Sequence, residues 1–84
     1  MYYLYILQSL KDLGYYIGIT ENLEKRIKEH NSGRTKSIKN RVPFVLKYKE
    51  NYYIKTDARK REIELKRNYQ KRKILLKIIG FEVK

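Results

Sequence analysis

The sequence contains no cysteine, a single proline and no apolar run of membrane-spanning length. Without cysteine, disulfide frameworks, thiolate zinc sites and cysteine nucleophiles are excluded, and a metal ion would need oxygen or histidine ligands. Crossing a bilayer takes about 20 apolar residues, and the first residues lack the basic stretch and cleavage site of a signal peptide. The sequence therefore predicts a cytoplasmic protein with no membrane partner.

Acidic residues are also scarce. The 84-residue chain has 9 Asp and Glu against 21 Lys and Arg, which gives a formal net charge of +12. Such an excess of positive charge favours a polyanionic partner. A chain this short has room for one core, so we expect one domain, residues 1–84, with any active site in a surface cleft. Nine tyrosines and two phenylalanines favour a packed fold over a disordered basic tail.

Two segments near the N-terminus are predicted to form a β-hairpin. Residues 2–8 and 15–20 are rich in aromatic and β-branched residues, and the turn-like segment 9–14 separates them. Period-two alternation divides their side chains between two faces. One face carries Leu4, Ile6, Ile17 and Ile19, and the other carries Tyr3, Tyr5, Tyr16 and Gly18. The second face therefore brings phenols beside a glycine.

A first helix is predicted after the hairpin. Asn22 can cap its N-terminus, and Gly33 can end it after about Ser32 in the left-handed conformation. Leu23 marks the inner face, and helical spacing places Arg26 and His30 on or beside the same stripe. A cation and an imidazole therefore face the sheet.

A third strand and two more helices complete the predicted α+β fold, in the order ββαβαα. Pro43 restarts an extended segment that runs from Phe44 to about Tyr53. Thr56 with Asp57 opens a second helix, and a short third helix covers Ile74–Ile79. Helical spacing predicts that the inner stripe of the second helix consists of Ala58, Glu62, Leu65 and Tyr69. Glu62 is the only inward carboxylate that these patterns indicate.

The inward polar residues suit phosphoryl chemistry. An arginine such as Arg26 stabilises charge on a pentacoordinate phosphate, and a carboxylate such as Glu62 binds a hard divalent cation. A phenol or an imidazole can handle the proton of an attacking water. Residues of these types from the hairpin and two helices can converge on one cleft.

At these residues the chain resembles the GIY-YIG nuclease family, in its small single-domain branch related to the incision module of nucleotide-excision repair. Tyr3-Leu4-Tyr5 occupies the first half-motif, where Tyr3 replaces a glycine, and Tyr16-Ile17-Gly18 is an intact second half-motif. The family spacing continues through Asn22, Leu23, Arg26, His30, Asn31 and Gly33 to the acidic helix at residues 58–62. Ile19 stands where the repair enzymes carry a lysine, and the asparagine that some relatives have near the domain end has no clear match.

The resemblance implies a three-stranded antiparallel sheet flanked by helices and a metal-dependent endonuclease that hydrolyses phosphodiester bonds in DNA, in repair or recombination. The catalytic set that it implies is Tyr5, Tyr16, Arg26, His30 and Glu62. Glu62 would hold one Mg²⁺ or Mn²⁺, and Tyr16 would accept the proton of the attacking water directly or through the metal shell. Tyr5 and His30 would orient the water and the phosphate.

Nucleic-acid binding is predicted in the loop from residue 34 to residue 41. Its basic residues alternate with small or polar ones and can contact phosphate; they are Arg34, Lys36, Lys39 and Arg41. Phosphate contacts carry affinity without sequence information. We therefore expect either the shape of the substrate or a protein partner to direct cutting, with DNA favoured over RNA.

Two other interpretations stay open. A non-catalytic nucleic-acid-binding module would need neither an inward Glu62 nor a divalent metal, and Glu62 would then be an ordinary ion-pair partner of Arg59 or Lys66. A binder of membrane surfaces or acidic proteins ranks third, because the basic residues are scattered instead of following one amphipathic helix.

Overall fold

The computed structural model describes residues 1–34, 36 and 38–81. Loop positions 35 and 37 and the predicted domain end at 82–84 lie outside the described residues. The elements are β1 (Tyr2–Ser9), β2 (Tyr15–Thr20), α1 (Leu23–Asn31), a short 3-10 helix (Lys39–Arg41), β3 (Phe44–Tyr52), α2 (Lys55–Arg67) and α3 (Tyr69–Ile78). The three strands form an antiparallel sheet in the order β2-β1-β3. The predicted α+β fold and its element order are confirmed.

The two faces of the hairpin carry the side chains that the alternation predicts. Leu4 pairs with Ile19 and Tyr5 pairs with Gly18 in the β1–β2 register. The first face packs against the helices in an apolar cluster of Leu4, Ile6, Ile17, Leu65, Leu76 and Phe81. The second face contributes to a cluster of Tyr5, Leu7, Ile38 and Phe44, against which Leu23 and Ile27 of α1 pack. The central strand β1 is therefore buried on both sides, as a middle strand between helices must be.

The predicted ends of α1 are confirmed by its caps. The side chain of Asn22 accepts a hydrogen bond of 3.0 Å from the backbone N–H of Lys25, which satisfies one of the free donors at a helix start. Ser32 is the C-terminal cap. Gly33 follows with φ of 80°, a left-handed value that glycine adopts without a steric cost.

The boundary between the last two helices differs from the prediction. Asn68 leaves the helical conformation with φ of −95° and ψ of 98°, so α2 ends at Arg67. The side chain of Asn68 then caps α3 by accepting a hydrogen bond from Lys71. As a result α3 begins at Tyr69 instead of Ile74, and Tyr69 is 56% exposed. The prediction that Tyr69 belongs to the inner stripe of the second helix is wrong.

The start of α2 also differs slightly, whereas its inner stripe is otherwise confirmed. The helix begins at Lys55 after Ile54, which has extended backbone and makes no side-chain cap, so Thr56 lies inside the helix instead of opening it. Ala58, Glu62 and Leu65 are buried. Among the described residues, no helix is both long and apolar enough to cross a membrane.

Candidate active site

A buried hydrogen bond joins the hairpin to α1. The hydroxyl oxygen of Tyr5 lies 3.0 Å from Nε2 of His30, and the two residues are 1% and 0% exposed. Strand β1 positions the phenol, and the last turn of α1 positions the imidazole. Because the partners are 25 residues apart in sequence, the pair forms only when α1 packs on the sheet.

Gly18 leaves the space that the Tyr5 ring occupies. A Cβ atom at position 18 would lie 2.5 Å from the hydroxyl oxygen of Tyr5 and 2.7 Å from its Cζ. Real Cβ atoms do not approach other atoms so closely, so a side chain at this position would displace the phenol. The glycine of the second half-motif is thus required by the position of Tyr5 across the hairpin.

Tyr16 borders the same pair from β2. Its ring centroid lies 5.0 Å from that of His30 in an edge-on arrangement and 6.4 Å from that of Tyr5. Unlike Tyr5, Tyr16 is only half-buried. The structure therefore brings the two predicted tyrosines and the predicted histidine together, with Tyr16 on the solvent side.

Arg26 sets the electrostatics of this group. Burial raises the pKa of Tyr5 to about 12, although hydrogen bonding to Arg26 acts in the opposite direction. Burial lowers the pKa of His30, and the positive charge of Arg26 lowers it further. Tyr5 and His30 are therefore both neutral at pH 7. The Arg26 guanidinium is partly exposed and donates to a carboxylate oxygen of Glu29 at 3.1 Å.

Glu62 lies on the inner stripe of α2. It is 5% exposed, and its negative charge contributes to the raised pKa of Tyr5. Its carboxylate pairs with Arg59 and, at 3.1 Å, with Lys66. Both cations are more than half exposed at the side chain, so they can move away from the carboxylate at little cost.

The donor set around Glu62 fits a weakly coordinated hard cation. Within residues 1–34, 36 and 38–81, no group of three or more His, Cys, Asp or Glu residues could enclose a metal ion. Mg²⁺ typically uses one or two protein carboxylates, with water and substrate phosphate completing its shell. A single buried carboxylate meets that requirement, and Glu62 is the residue that would hold the ion.

The four basic residues of the predicted phosphate-binding loop differ in their surroundings. Arg34, Lys36 and Lys39 are exposed. Arg41 is bonded to Asp12 at 2.6 Å and to the carbonyl oxygen of Tyr15 at 3.1 Å. The Arg41 hydrogen bond lowers the pKa of Asp12 to about 2. Arg41 therefore joins the short 3-10 helix to the hairpin turn and to the start of β2, while the other three cations are exposed.

The sequence patterns did not predict a second inward carboxylate, that of Glu50. Glu50 of β3 accepts hydrogen bonds from the hydroxyls of Tyr48 and Tyr52 at 2.5 Å and 2.7 Å, and from Arg61 at 3.0 Å and 3.1 Å. The expectation that Glu62 is the only inward carboxylate is therefore wrong. Period-two alternation along β3 places Tyr48, Glu50 and Tyr52 on one face, and this signal could have revealed the cluster.

Comparison with known proteins identifies the family of this chain. Residues 1–74 match the family model described as the GIY-YIG catalytic domain. A UPF0213 protein of Staphylococcus haemolyticus is 44% identical over 66 residues, 77% of this chain and 79% of that protein. A UPF0213 protein of Clostridium perfringens is 43% identical over 77 residues, 90% of this chain and 82% of that protein.

A solved structure shares the fold. The solution NMR structure of a UPF0213 protein from Bacillus halodurans superimposes with a TM-score of 0.57 at 34% sequence identity, and the match covers 96% of this chain and 87% of that one. Tyr5, Tyr16 and His30 lie together, and the family model spans the elements that position them. The chain belongs to the GIY-YIG catalytic-domain family, a family of nucleases.

Proposed function

We propose that this protein is a metal-dependent endonuclease that hydrolyses phosphodiester bonds in DNA. Its proposed catalytic residues are Tyr5, Tyr16, Arg26, His30 and Glu62. The observation that carries the proposal is the buried hydrogen bond between Tyr5 and His30, with Tyr16 packed against the imidazole at its solvent side. A cluster of this kind in a nuclease family is well suited to position a phosphate and a water.

The two tyrosines have different proposed roles. Tyr5 is buried and its pKa is raised to about 12, so it keeps its proton and acts with His30 to orient water and phosphate. Tyr16 is half-buried and can be reached by water, so it is the proposed acceptor of the water's proton. Only a phenolate can accept that proton, so the proposed step requires Tyr16 to react in its ionised form.

Arg26 has the second role of stabilising the transition state. A phosphodiester gains negative charge as it becomes pentacoordinate, and a fixed guanidinium stabilises that charge. Mg²⁺ or Mn²⁺ bound at Glu62 would supply a Lewis acid for the phosphoryl oxygens. Glu62 is suited to hold the cation because it is buried while both of its ion-pair partners are exposed.

Substrate recognition is proposed to depend on phosphate contacts. Arg34, Lys36 and Lys39 are exposed cations after α1, and the net charge of +12 attracts a polyanion. Contacts of this kind bind without reading sequence. We therefore propose cutting that is selective for DNA structure or directed by a protein partner, in DNA repair or recombination, and a cytoplasmic location stays a prediction.

One assay tests the activity directly. The purified protein is incubated with single-stranded, duplex, flapped and branched DNA of one sequence, each with Mg²⁺, Mn²⁺ or EDTA. We expect cleavage of at least one substrate with a divalent metal and none with EDTA. No cleavage of any substrate, or equal cleavage in EDTA, contradicts the proposal.

The ion pairs of Glu62 with Arg59 and Lys66 support one alternative. They are the contacts that a structural glutamate would make in a nucleic-acid-binding module without catalysis. That alternative predicts DNA binding that EDTA leaves unchanged, no cleavage by the wild-type protein, and normal DNA binding by Glu62→Gln.

A further inference from the structure

The sheet face that carries Tyr5 is covered at one end and open at the other. Leu7 and Phe44 at the covered end are almost completely buried. At the open end, toward the start of β1, Tyr3 is half-buried, while Lys49 and Asn51 of β3 are exposed. The open end lies beside the catalytic phenol and presents an aromatic ring.

The strand register shows which side chains share this open end. Tyr3 is paired with Thr20 of β2 and with Asn51 of β3, and Tyr5 is paired with Lys49. Directly opposed residues in antiparallel strands lie on the same face. We call the patch formed by Tyr3, Thr20, Lys49 and Asn51 the Tyr3 platform.

The side chain of Lys49 lies over the Tyr3 ring and can be displaced from it. The ammonium nitrogen of Lys49 lies 5.4 Å from the ring centroid, a weak contact at an exposed site. A flat nucleobase can take the place of the ammonium group on the ring, and the displaced ammonium can then bind a neighbouring phosphate. The platform thus has an aromatic surface and a cation, which are the two components of single-strand binding sites.

We propose that the Tyr3 platform binds one unpaired nucleobase of the substrate strand next to the scissile phosphate. The base stacks on Tyr3 while Lys49 contacts the backbone. Tyr3 and Tyr5 are two residues apart on a strand, about 7 Å, so a base on the Tyr3 ring lies close to a phosphate held at Tyr5. This inference rests on the proposed nuclease function, and it specifies the substrate class as a strand with an unpaired base at the cleavage site.

Binding measured in EDTA tests the platform separately from catalysis. Fluorescence anisotropy with a labelled single strand and with a blunt duplex of the same sequence gives the ratio of the two affinities. Tyr3→Leu should weaken single-strand binding by about 5- to 150-fold, the effect of losing one stacked base, and should leave duplex binding nearly unchanged. Tyr3→Phe keeps the ring and should bind as wild type does.

A matched control removes a tyrosine elsewhere. Tyr53 is 86% exposed and lies beyond the end of β3, so Tyr53→Leu should change neither affinity. If Tyr3→Leu lowers single-strand and duplex affinity equally, or lowers neither, the platform does not bind a base and the proposal is wrong.

The wild-type protein provides a second test that does not depend on how a variant folds. A single strand that is abasic at every position is compared with a strand of the same length that carries its bases. We expect the fully abasic strand to bind markedly more weakly, and equal affinity for the two strands overturns the proposal. Because both tests are done without metal, a failed platform leaves cleavage intact, whereas a failed nuclease assignment appears as the absence of cleavage with metal.

Discussion

Two polar clusters in this small protein have nearly the same composition and very different structures. The Tyr5 cluster consists of Tyr5, Tyr16, Arg26 and His30, and the Glu50 cluster consists of Tyr48, Glu50, Tyr52 and Arg61. Each combines two tyrosines and an arginine with one further titratable group. The residue composition alone therefore does not distinguish the two clusters.

The Glu50 cluster is closed around a carboxylate. Both phenols and the guanidinium donate to Glu50. Burial by itself would raise the pKa of Glu50, but the hydrogen bonds from Arg61, Tyr48 and Tyr52 outweigh it and lower the pKa. Burial followed by the bond to Glu50 raises the pKa of Tyr52 to about 12. The negative charge at the centre of this cluster is therefore that of Glu50, a residue of the protein itself.

The Tyr5 cluster is built around a neutral imidazole instead. His30 has a lowered pKa, and Arg26 is partly exposed and pairs with Glu29 at the surface. Because Arg26 is charged and partly exposed, this cluster can take a negative charge from outside, which is what a nuclease requires for a substrate phosphate. The charge of the central group thus separates the cluster that we propose to be catalytic from the structural one.

The largest expected effect is that of Glu62→Gln. Loss of the proposed metal-binding carboxylate should remove several kcal/mol of transition-state stabilisation, a decrease of at least about 10³-fold in single-turnover cleavage. In the absence of metal the variant should melt at the wild-type temperature or slightly above it, because catalytic groups are often held at a cost to stability. The rise in melting temperature that Mn²⁺ produces should shrink.

Glu50→Gln is the matched control, with the opposite result. It should lower the free energy of unfolding by about 1–3 kcal/mol, because Arg61 and two phenols lose a charged acceptor, and it should leave the cleavage rate of the folded protein intact. If Glu62→Gln nicks DNA at the wild-type rate, Glu62 is a structural residue and the assignment of Glu62 as the metal ligand is wrong.

Arg26→Gln is the next most damaging change. Removing one charge stabiliser typically slows an enzyme by about 10²- to 10³-fold. Arg61→Gln removes the arginine of the other cluster and should affect the melting temperature more than the cleavage rate. Similar rate losses in the two variants would mean that the clusters do not have separate roles.

Gly18→Ala tests the position of Tyr5. The new Cβ would lie 2.5 Å from the phenol oxygen, and overpacking of this kind costs about 1–3 kcal/mol. We expect a rate loss of at least about 10-fold, because a misplaced catalytic group loses its alignment. Gly33→Ala is a control for glycine replacement away from the phenol; it should reduce stability without a comparable loss of rate.

The smallest effect is a pH dependence of stability. The folded-state pKa of Glu50 lies below its ordinary value of 4.5, so Glu50 stabilises the fold fully above that value. This contribution is lost as pH falls through the lower folded-state pKa. Urea unfolding between pH 5 and pH 2, measured on wild type and Glu50→Gln, should show a difference that disappears toward low pH. A difference that grows toward low pH would contradict the lowered pKa.

The hairpin faces and α1 were predictable because each depends on local chemistry. Strand alternation alone places Tyr5 and Gly18 on one face. Asn22 and Gly33 mark the ends of α1 through capping and a left-handed turn. These signals lie within the segments that they describe.

Two features were not predicted from sequence patterns. One depends on competition between two helices for the same residue, and the other depends on a contact between residues that are far apart in sequence. Asn68 is an acceptable helix residue by spacing, but its side chain caps α3 and so ends α2. Arg41 is indistinguishable from its basic neighbours until Asp12, 29 residues away in sequence, is brought beside it. Hydrophobic periodicity indicates neither where α2 ends nor which acceptor Arg41 contacts.

The most direct test removes one hydroxyl from each cluster. Tyr16→Phe and Tyr52→Phe are compared with wild type in single-turnover cleavage with Mn²⁺, with DNA affinity and melting temperature measured alongside. Because Tyr16 is the proposed proton acceptor, Tyr16→Phe should be slower by about 10²- to 10⁴-fold with affinity retained, while Tyr52→Phe cleaves close to the wild-type rate. Cleavage by Tyr16→Phe at the wild-type rate, or an equal loss in both variants, would contradict the assignment of the Tyr5 cluster as the catalytic centre.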